Sequence, residues 1–295
     1  MLRDLKYFLL LSRPANVLIA VLSFGIACYI ANDRNGSLPF LQHGPFWGTV
    51  LSIVLIAATG YWINDVYDFR IDRINKPRST IVNGYLSVKK VLTAYFITVF
   101  FTLLFSILYL GIYAGKPGIT FINFLSVILL FWYASHLKRV SVAGNLLVSF
   151  LIFLVIILAG YLYRINMPLI WVGVFAFEIT FIREITKDIE DIKGDLQYKL
   201  HTLPIQVGIR STKKVLTVLY LLFILSCYLP FFYRIARTGD PLWRYLLLSV
   251  NLVQVPALLL MRMMLRSSHP RDFAIQSRYL KYLMLTGIIT LLFLK

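Results

Sequence analysis

Six aspartates form two copies of one spacing, Asp-x-x-Asp-x-x-x-Asp, in a chain of 295 residues. The first Asp cluster is Asp65, Asp68 and Asp72, and the second Asp cluster is Asp188, Asp191 and Asp195. Spacings of three and four residues place all three carboxylates of a cluster on one face of a helix. Because like charges on one helix face repel one another, such clusters usually hold something positive. Two of them in an apolar chain predict hard cations and a polyanionic substrate at a membrane.

Magnesium is the cation that this pattern indicates. Mg²⁺ takes oxygen ligands in octahedral geometry and is usually bound by one or two carboxylates together with substrate phosphates. Two opposed clusters would hold metal ions on either side of a diphosphate and neutralise the charge that builds on it as its C–O bond breaks. Bases, which such an anion also requires, accompany both clusters. They are Arg70, Arg73, Lys76 and Arg78, then Lys138 and Arg139, then Lys187, Lys193 and Lys199.

Composition places the helices that carry these clusters in a membrane. The chain is 59% hydrophobic and only 15% charged, whereas a soluble domain is about a quarter charged. Nine apolar segments have roughly the length of about 20 residues that crosses a bilayer as a helix. They lie near 14–31, 44–63, 92–112, 119–134, 142–163, 168–184, 215–233, 243–262 and 279–294. We therefore predict an all-α, polytopic integral membrane protein, a bundle of nine transmembrane helices around a central cavity, with one domain over 1–295.

The net charge of +17 is distributed as in a membrane protein rather than a nucleic-acid-binding one. With the N-terminus inside, 23 of the 30 Lys and Arg residues fall on cytoplasmic segments and seven on external ones. The positive-inside rule then predicts that the N-terminus and both Asp clusters are cytoplasmic and the C-terminus external. We expect a multi-pass protein of the cytoplasmic (inner) membrane in contact with membrane lipid, with no nucleic acid and no obligate protein partner.

The residues around both clusters resemble the signatures of the UbiA intramembrane prenyltransferases. The first signature reads Asn64-Asp65-x-x-Asp68-x-x-x-Asp72, followed by Asn75-Lys76-Pro77-Arg78. The second reads Lys187-Asp188-x-x-Asp191-x-x-Gly194-Asp195, followed by Thr202-Leu203-Pro204. The resemblance extends to Arg13-Pro14-x-Asn16, Lys138-Arg139 and Gly144-Asn145, and so spans nearly the whole chain.

This resemblance implies a cavity that opens sideways to lipid beneath the loops that bear the clusters. A prenyl diphosphate would ionise there with Mg²⁺ to an allylic cation, and a hydrophobic acceptor from the bilayer would attack its C1. All six aspartates would be catalytic, and the main metal ligands would be Asp65, Asp68, Asp188 and Asp191. Diphosphate contacts would come from Arg13, Asn16, Asn64, Lys76, Arg78, Lys138 and Lys187. Tyr67 and Tyr133 are expected to line the cavity.

The acceptor is less closely defined by the sequence. Residues 183–191 (REITKDIED) resemble the branch that makes digeranylgeranylglyceryl phosphate by prenylating the hydroxyl of a lipid such as geranylgeranylglycerol phosphate. Relatives that prenylate aromatic or quinone precursors, such as 4-hydroxybenzoate, share the Asp clusters, so that acceptor class stays open. After the second cluster the chain has Lys199 and His201 where the family usually has Gly and then Lys or Arg.

A cation transporter is a remote alternative. Transporters place ionisable groups near the bilayer midplane on broken helices. Here the aspartates are predicted at the cytoplasmic ends of the helices, which favours an enzyme.

Overall fold

The structure, a computed structural model, describes residues 2–32, 43–75 and 80–294. These residues form thirteen α-helices, and the β-structure among them consists of isolated β-bridges. The helices are α1 Leu2–Leu11, α2 Pro14–Ala31, α3 Gly44–Asn75, α4 Val88–Phe105, α5 Pro117–Ser135, α6 Ala143–Leu162, α7 Met167–Glu190, α8 Ile192–Gln197, α9 Leu203–Ser226, α10 Leu229–Thr238, α11 Trp243–Ser249, α12 Val255–Arg266 and α13 Pro270–Leu291. The predicted all-α class is confirmed.

Four further helical segments, two π-helices and two 3₁₀ turns, extend or join these helices, and the last of them, Leu292–Leu294, follows α13. A π-helix, Ser106–Tyr113, continues α4, and another, Val250–Gln254, joins α11 to α12. A 3₁₀ turn, Leu137–Arg139, follows α5. That turn carries Lys138, one of the bases that the sequence marks as functional.

Eight helical stretches in the described ranges are long and apolar enough to cross a membrane. They are Pro14–Ala31, Gly44–Asn75, Val88–Tyr113, Pro117–Ser135, Ala143–Leu162, Leu203–Thr238, Trp243–Arg266 and Pro270–Leu294. The polytopic prediction is confirmed, but the count of nine is not. Helix α7 matches the predicted span 168–184, yet Glu178, Arg183 and Glu184 fall within every stretch of 18 residues along it.

The helices near the Asp clusters extend beyond the bounds that hydropathy predicts. Helix α3 runs for 32 residues to Asn75, well past the predicted end at 63, so the first Asp cluster lies on one continuous helix. Helix α9 begins at Leu203 rather than at 215, with a kink at Gly208, whose φ is 79°. Hydropathy marks only the part of a helix that is in hydrocarbon, whereas helical geometry continues through polar residues that make their own contacts.

Helix α7 joins the two halves of the bundle. Its Leu169 and Val172 belong to an apolar core with α2, α5 and α6, around Phe24 and Ile156. Further along the helix, Ile182 and its neighbours pack in a second core with α9, α12 and α13. Because both cores hold α7, the cluster at its end is fixed relative to the rest of the bundle.

Candidate active site

A cavity opens between α2, α3, α5, α6 and α7 at the end of the bundle that carries both Asp clusters. It measures about 1450 Å³, including its open mouth. One part of its wall is charged, and the rest is apolar. The apolar part includes Ile53 and Ile56 on α3, Ile122 and Leu130 on α5, and Val148, Leu151, Val155 and Leu158 on α6. This two-part lining fits a molecule with a charged head and a hydrocarbon chain.

Helix α3 turns the first Asp cluster toward two neighbouring spaces. Asp68 and Asp72 lie four residues apart, on one face, and both line the cavity. Asp68 is only 3% exposed, and its carboxylate accepts hydrogen bonds from Asn64 Nδ2 (2.7 Å) and from Lys138 Nζ. Asp65 lines an adjoining cavity instead, and its Oδ1 accepts from Arg13 Nη2 at 2.5 Å.

The second Asp cluster lies on a bend rather than on one straight helix. Helix α7 ends at Glu190, and Asp191, whose φ and ψ are −91° and 5°, separates it from α8, which begins at Ile192. The prediction of a single helix face is therefore wrong for this cluster. All three carboxylates nevertheless line the cavity. Asp188 Oδ2 accepts a hydrogen bond from Asn145 Nδ2 at 2.7 Å, which ties the cluster to the start of α6.

Asn75 connects the two clusters directly, a role that the sequence analysis did not assign. It is the last residue of α3, and its Nδ2 donates to the Asp191 carbonyl at 2.9 Å. Its Oδ1 accepts from the Gly194 backbone N–H at 2.8 Å. A Cβ atom at Gly194 would lie 2.5 Å from Asn75 Nδ2, so the close approach requires glycine. The presence of both residues in the family-like signatures was the available signal.

Two bases neutralise carboxylates of the first cluster. Arg13 precedes Pro14 in the left-handed conformation (φ 49°), which costs a non-glycine residue free energy, and its guanidinium lies 4.8 Å from the Tyr61 ring centroid. Burial by itself would lower the pKa of Arg13 and of Lys138. The charges of Asp65 on Arg13 and of Asp68 on Lys138 nevertheless raise both pKa values above the ordinary range. Both side chains are therefore cations at the rim of the cavity.

A further group of charges on α7 was not predicted as part of the site, apart from Lys187. Glu184, whose side chain is 8% exposed, accepts from Arg183 Nη1 at 2.7 Å and from Lys187 Nζ at 2.8 Å. All three residues line the cavity. Glu184 thus holds two bases in place without leaving a buried charge unpaired.

The structure brings most of the predicted site residues together. Arg13, Asn16, Asn64, Asp68, Asp72, Tyr133, Lys138, Lys187, Asp188, Asp191 and Asp195 all line the one cavity. Tyr67 does not, contrary to the prediction. It is 39% exposed and lies near Phe131 in a groove on another face of α3, because one residue turns the helix by about 100°. Lys76 and Arg78 lie outside the described residues.

The two residues that depart from the usual family pattern are in the loop after α8. Lys199 has a left-handed backbone (φ 53°), and the His201 N–H donates to the Arg139 carbonyl at 3.2 Å. His201 is exposed and is not among the cavity residues. The loop therefore ties α9 to the turn that carries Lys138.

The donor atoms around the cavity fit Mg²⁺ chemistry. Within the described ranges no three His, Cys, Asp or Glu side chains converge as in a metal site. Asp65 and Asp68 instead form ion pairs with Arg13 and Lys138. The wall nevertheless offers carboxylate oxygens together with Asn64 Oδ1, which is buried and has no hydrogen-bond partner among the described residues. Such an all-oxygen set suits a hard divalent cation.

Comparison with known proteins identifies the family. The sequence model of the UbiA prenyltransferase family matches residues 15–281. The chain belongs to this family. It is 35% identical over 236 residues to the digeranylgeranylglyceryl phosphate synthase of Saccharolobus solfataricus, covering 78% of each chain. It is 28% identical to the synthase of the same name from Methanopyrus kandleri, covering 98% of each chain. The protein is thus a membrane-embedded prenyltransferase.

Solved structures agree with this assignment. A structure described as digeranylgeranylglyceryl phosphate synthase in membranes superposes with a TM-score of 0.70 at 25% identity, over 99% of this chain and 98% of that one. A UbiA homologue from Archaeoglobus fulgidus, solved with DMAPP and Mg²⁺, has the same fold at a TM-score of 0.61 and 16% identity, over 95% of this chain and 98% of that one. The UbiA fold is therefore shared across low sequence identity.

Replacing Asn75 with alanine should disorganise the site without unfolding the bundle. The change removes two hydrogen bonds that hold the clusters together, each worth about 1 kcal/mol. We expect the rate of prenyl transfer to fall about ten- to a hundredfold, because misplaced groups lose catalytic alignment. Asn251→Ala is the matched control, since Asn251 is exposed and bonds only within its own helical stretch. Equal activities of the two variants would contradict the connecting role of Asn75.

Proposed function

We propose that this enzyme transfers a geranylgeranyl group from its diphosphate to the hydroxyl of a lipid such as geranylgeranylglycerol phosphate, with Mg²⁺. The observation that carries the proposal is one cavity whose wall combines five of the six cluster aspartates with a large apolar surface. The relatives named digeranylgeranylglyceryl phosphate synthase support the choice of donor and acceptor.

The charges of the cavity support a requirement for divalent cations. Its wall carries six carboxylates and four bases, a formal net charge of −2. They are Asp68, Asp72, Glu184, Asp188, Asp191 and Asp195, against Arg13, Lys138, Arg183 and Lys187. A polyanionic diphosphate would be repelled by that wall in a low-dielectric site unless cations were bound with it. UbiA homologues of Archaeoglobus fulgidus solved with DMAPP or GPP and Mg²⁺ support this requirement.

Each group of residues has a proposed role. The carboxylates proposed to hold Mg²⁺ are Asp65, Asp68, Asp188 and Asp191, with Asp72 and Asp195 in support. When bound, Mg²⁺ would supply positive charge that stabilises the departing diphosphate. Arg13, Asn16, Asn64, Lys138 and Lys187 are proposed to contact the diphosphate, as are Lys76 and Arg78, which follow α3. Charge-assisted hydrogen bonds from such bases are about twice as strong as neutral ones.

The proposed reaction breaks one bond and forms one. The C1–O bond of the donor breaks, and its electron pair leaves with the diphosphate, so that an allylic cation remains. The aromatic rings of Tyr61 and Tyr133, which line the cavity, would stabilise that cation through their π faces. The acceptor oxygen then bonds to C1, and its proton passes to a carboxylate of the cavity. The apolar wall excludes water, which would otherwise capture the cation.

The acceptor is tested by direct assay. Purified enzyme with Mg²⁺ and geranylgeranyl diphosphate should prenylate geranylgeranylglycerol phosphate, and product formation is followed by mass spectrometry. The same assay with 4-hydroxybenzoate should give little product. Turnover with the aromatic acid or a quinol alone would overturn the lipid acceptor while leaving prenyl transfer in place.

Loss of a carboxylate should remove activity while the helices stay folded. Asp68→Ala and Asp191→Ala should each lower turnover by about a hundredfold or more, because each removes charge from the proposed metal site. Chelation with EDTA should have the same effect, and added Mg²⁺ should restore activity to the wild type only. Asp240→Ala, in an exposed loop, is the control. Near-full activity of either cluster variant would refute the metal role.

We also propose that the N-terminus and both Asp clusters are cytoplasmic and the C-terminus external, in the inner membrane. Lys214 and Arg237 are exposed near opposite ends of the span Leu203–Thr238. In a variant with both buried native cysteines replaced by alanine, Arg237→Cys should react with an impermeant maleimide in intact cells. Lys214→Cys should react only after lysis, and the reverse pattern would invert the orientation.

A further inference from the structure

A second compartment, between α2, α7 and α13, adjoins the cavity of the Asp clusters. Resting on the proposed function, we propose that this compartment binds the acceptor lipid, with the acceptor phosphate near Lys281 and the acceptor chain in an apolar cavity alongside the same three helices.

The polar part of this compartment adjoins the donor cavity. It measures about 1510 Å³, including its opening, and is lined by α1, α3, α7, α13 and the segment 80–85. Residues common to its wall and to that of the donor cavity are Arg13, Asn16, Asp72, Arg183 and Lys187. A ligand held in this compartment would therefore present its head at the boundary where the donor is ionised.

The boundary between the two cavities is positively charged. The wall of this compartment carries five bases, Lys6, Arg13, Arg183, Lys187 and Lys281, against three carboxylates, Asp65, Asp72 and Glu190. Arg13, Arg183, Lys187 and Asp72 also line the donor cavity, and they account for the formal net charge of +2. A phosphate monoester would be attracted to this boundary by side chains.

Lys281 and Arg183 have donors available for such a phosphate. Lys281 is half-buried on α13 and forms no hydrogen bond or ion pair within the described part of the chain. The Arg183 Nε is buried and likewise lacks a hydrogen-bond partner among the described residues, while Nη1 of the same side chain donates to Glu184. Lys281 lines the compartment together with Arg183, Lys187 and Arg13. An anion bound among these four bases would reduce the repulsion between their like charges.

A separate apolar cavity of about 680 Å³, including its mouth, lies further along the same three helices. On α13, Lys281 is followed at helical spacing by Met284, Ile288 and Leu291, which line this cavity. On α7 the corresponding series from Arg183 is Thr180, Ala176 and Val172, and on α2 it runs from Asn16 to Ile19 and Ser23. Along one face of each of these helices, residues that line the polar compartment are therefore followed by residues that line the apolar cavity.

Ile152 of α6 contributes to both this apolar cavity and the donor cavity. It thus forms part of the wall between two hydrocarbon-binding spaces. Separate spaces would let a long donor chain and a long acceptor chain bind at the same time without competing for one channel.

Lys281→Met tests the head of the proposed acceptor site. We expect the KM for geranylgeranylglycerol phosphate to rise about tenfold, the size of one lost charge-assisted hydrogen bond, while the KM for geranylgeranyl diphosphate is unchanged. Lys281→Arg should restore acceptor affinity, and Lys281→Gln serves if the methionine variant fails to fold. Arg278→Met is the matched control, because Arg278 is an exposed base on the same helix.

Gly287→Phe tests the apolar part. Gly287 lines the apolar cavity, and a Cβ atom there would meet no other atom within 4 Å. The ring should fill the space and raise the KM for the long-chain acceptor about tenfold, but not that for a short-chain glycerol phosphate ether. Gly25→Phe is the control, since a Cβ at Gly25 also meets no atom within 4 Å and Gly25 lies outside this cavity.

The outcomes separate the two proposals. If the wild type prenylates the ether lipid but both variants keep the wild-type acceptor KM, the acceptor compartment is refuted and the proposed function stands. If Lys281→Met raises the donor KM equally, Lys281 acts on the diphosphate and the assignment is also refuted. If the wild type uses only an aromatic acceptor, the proposed function fails, and the lipid compartment fails with it.

Discussion

Compensation of buried charge is the constraint on which this structure depends. Six carboxylates and four bases surround one cavity inside an otherwise apolar bundle, and removing one partner of a buried ion pair typically costs about 3–5 kcal/mol. The chain meets this constraint with specific pairs, Arg13 with Asp65 and Lys138 with Asp68. Glu184 pairs with two bases of its own helix in the same way.

Irregular parts of the backbone carry the bases of these ion pairs. Arg13 adopts a left-handed conformation just before α2, and Lys138 lies on a 3₁₀ turn. The second Asp cluster lies where α7 gives way to α8, next to the amide of Asn75. The first Asp cluster, on one regular helix, places two of its three carboxylates in the cavity, whereas the second, with its bend at Asp191, places all three there. Departures from ideal geometry at a functional site are expected for this reason.

Helix α7 has the central position in this arrangement. Its side chains belong to both apolar cores, and its polar end contributes Arg183 and Lys187 to both polar compartments. The charges that give α7 this role, Arg183 and Glu184 among them, also leave every stretch of 18 residues along it with more charged residues than the apolar stretches of the candidate membrane spans have. Function therefore reduces the very signal by which a membrane helix is predicted from sequence.

The membrane class, the all-α architecture, the family and most of the charged residues that line the cavity follow from the amino-acid sequence, because hydropathy and cluster spacing are local properties of the chain. Local periodicity also gives the relative direction of two side chains on one helix. Periodicity does not say which residues of other helices each side chain contacts. Helix packing, in contrast, places Asp65 and Asp68 in different cavities, leaves Tyr67 outside both polar compartments, and brings Asn75 to Gly194. It also brings Lys281 beside α7, since contacts between residues distant in the chain arise from helix packing.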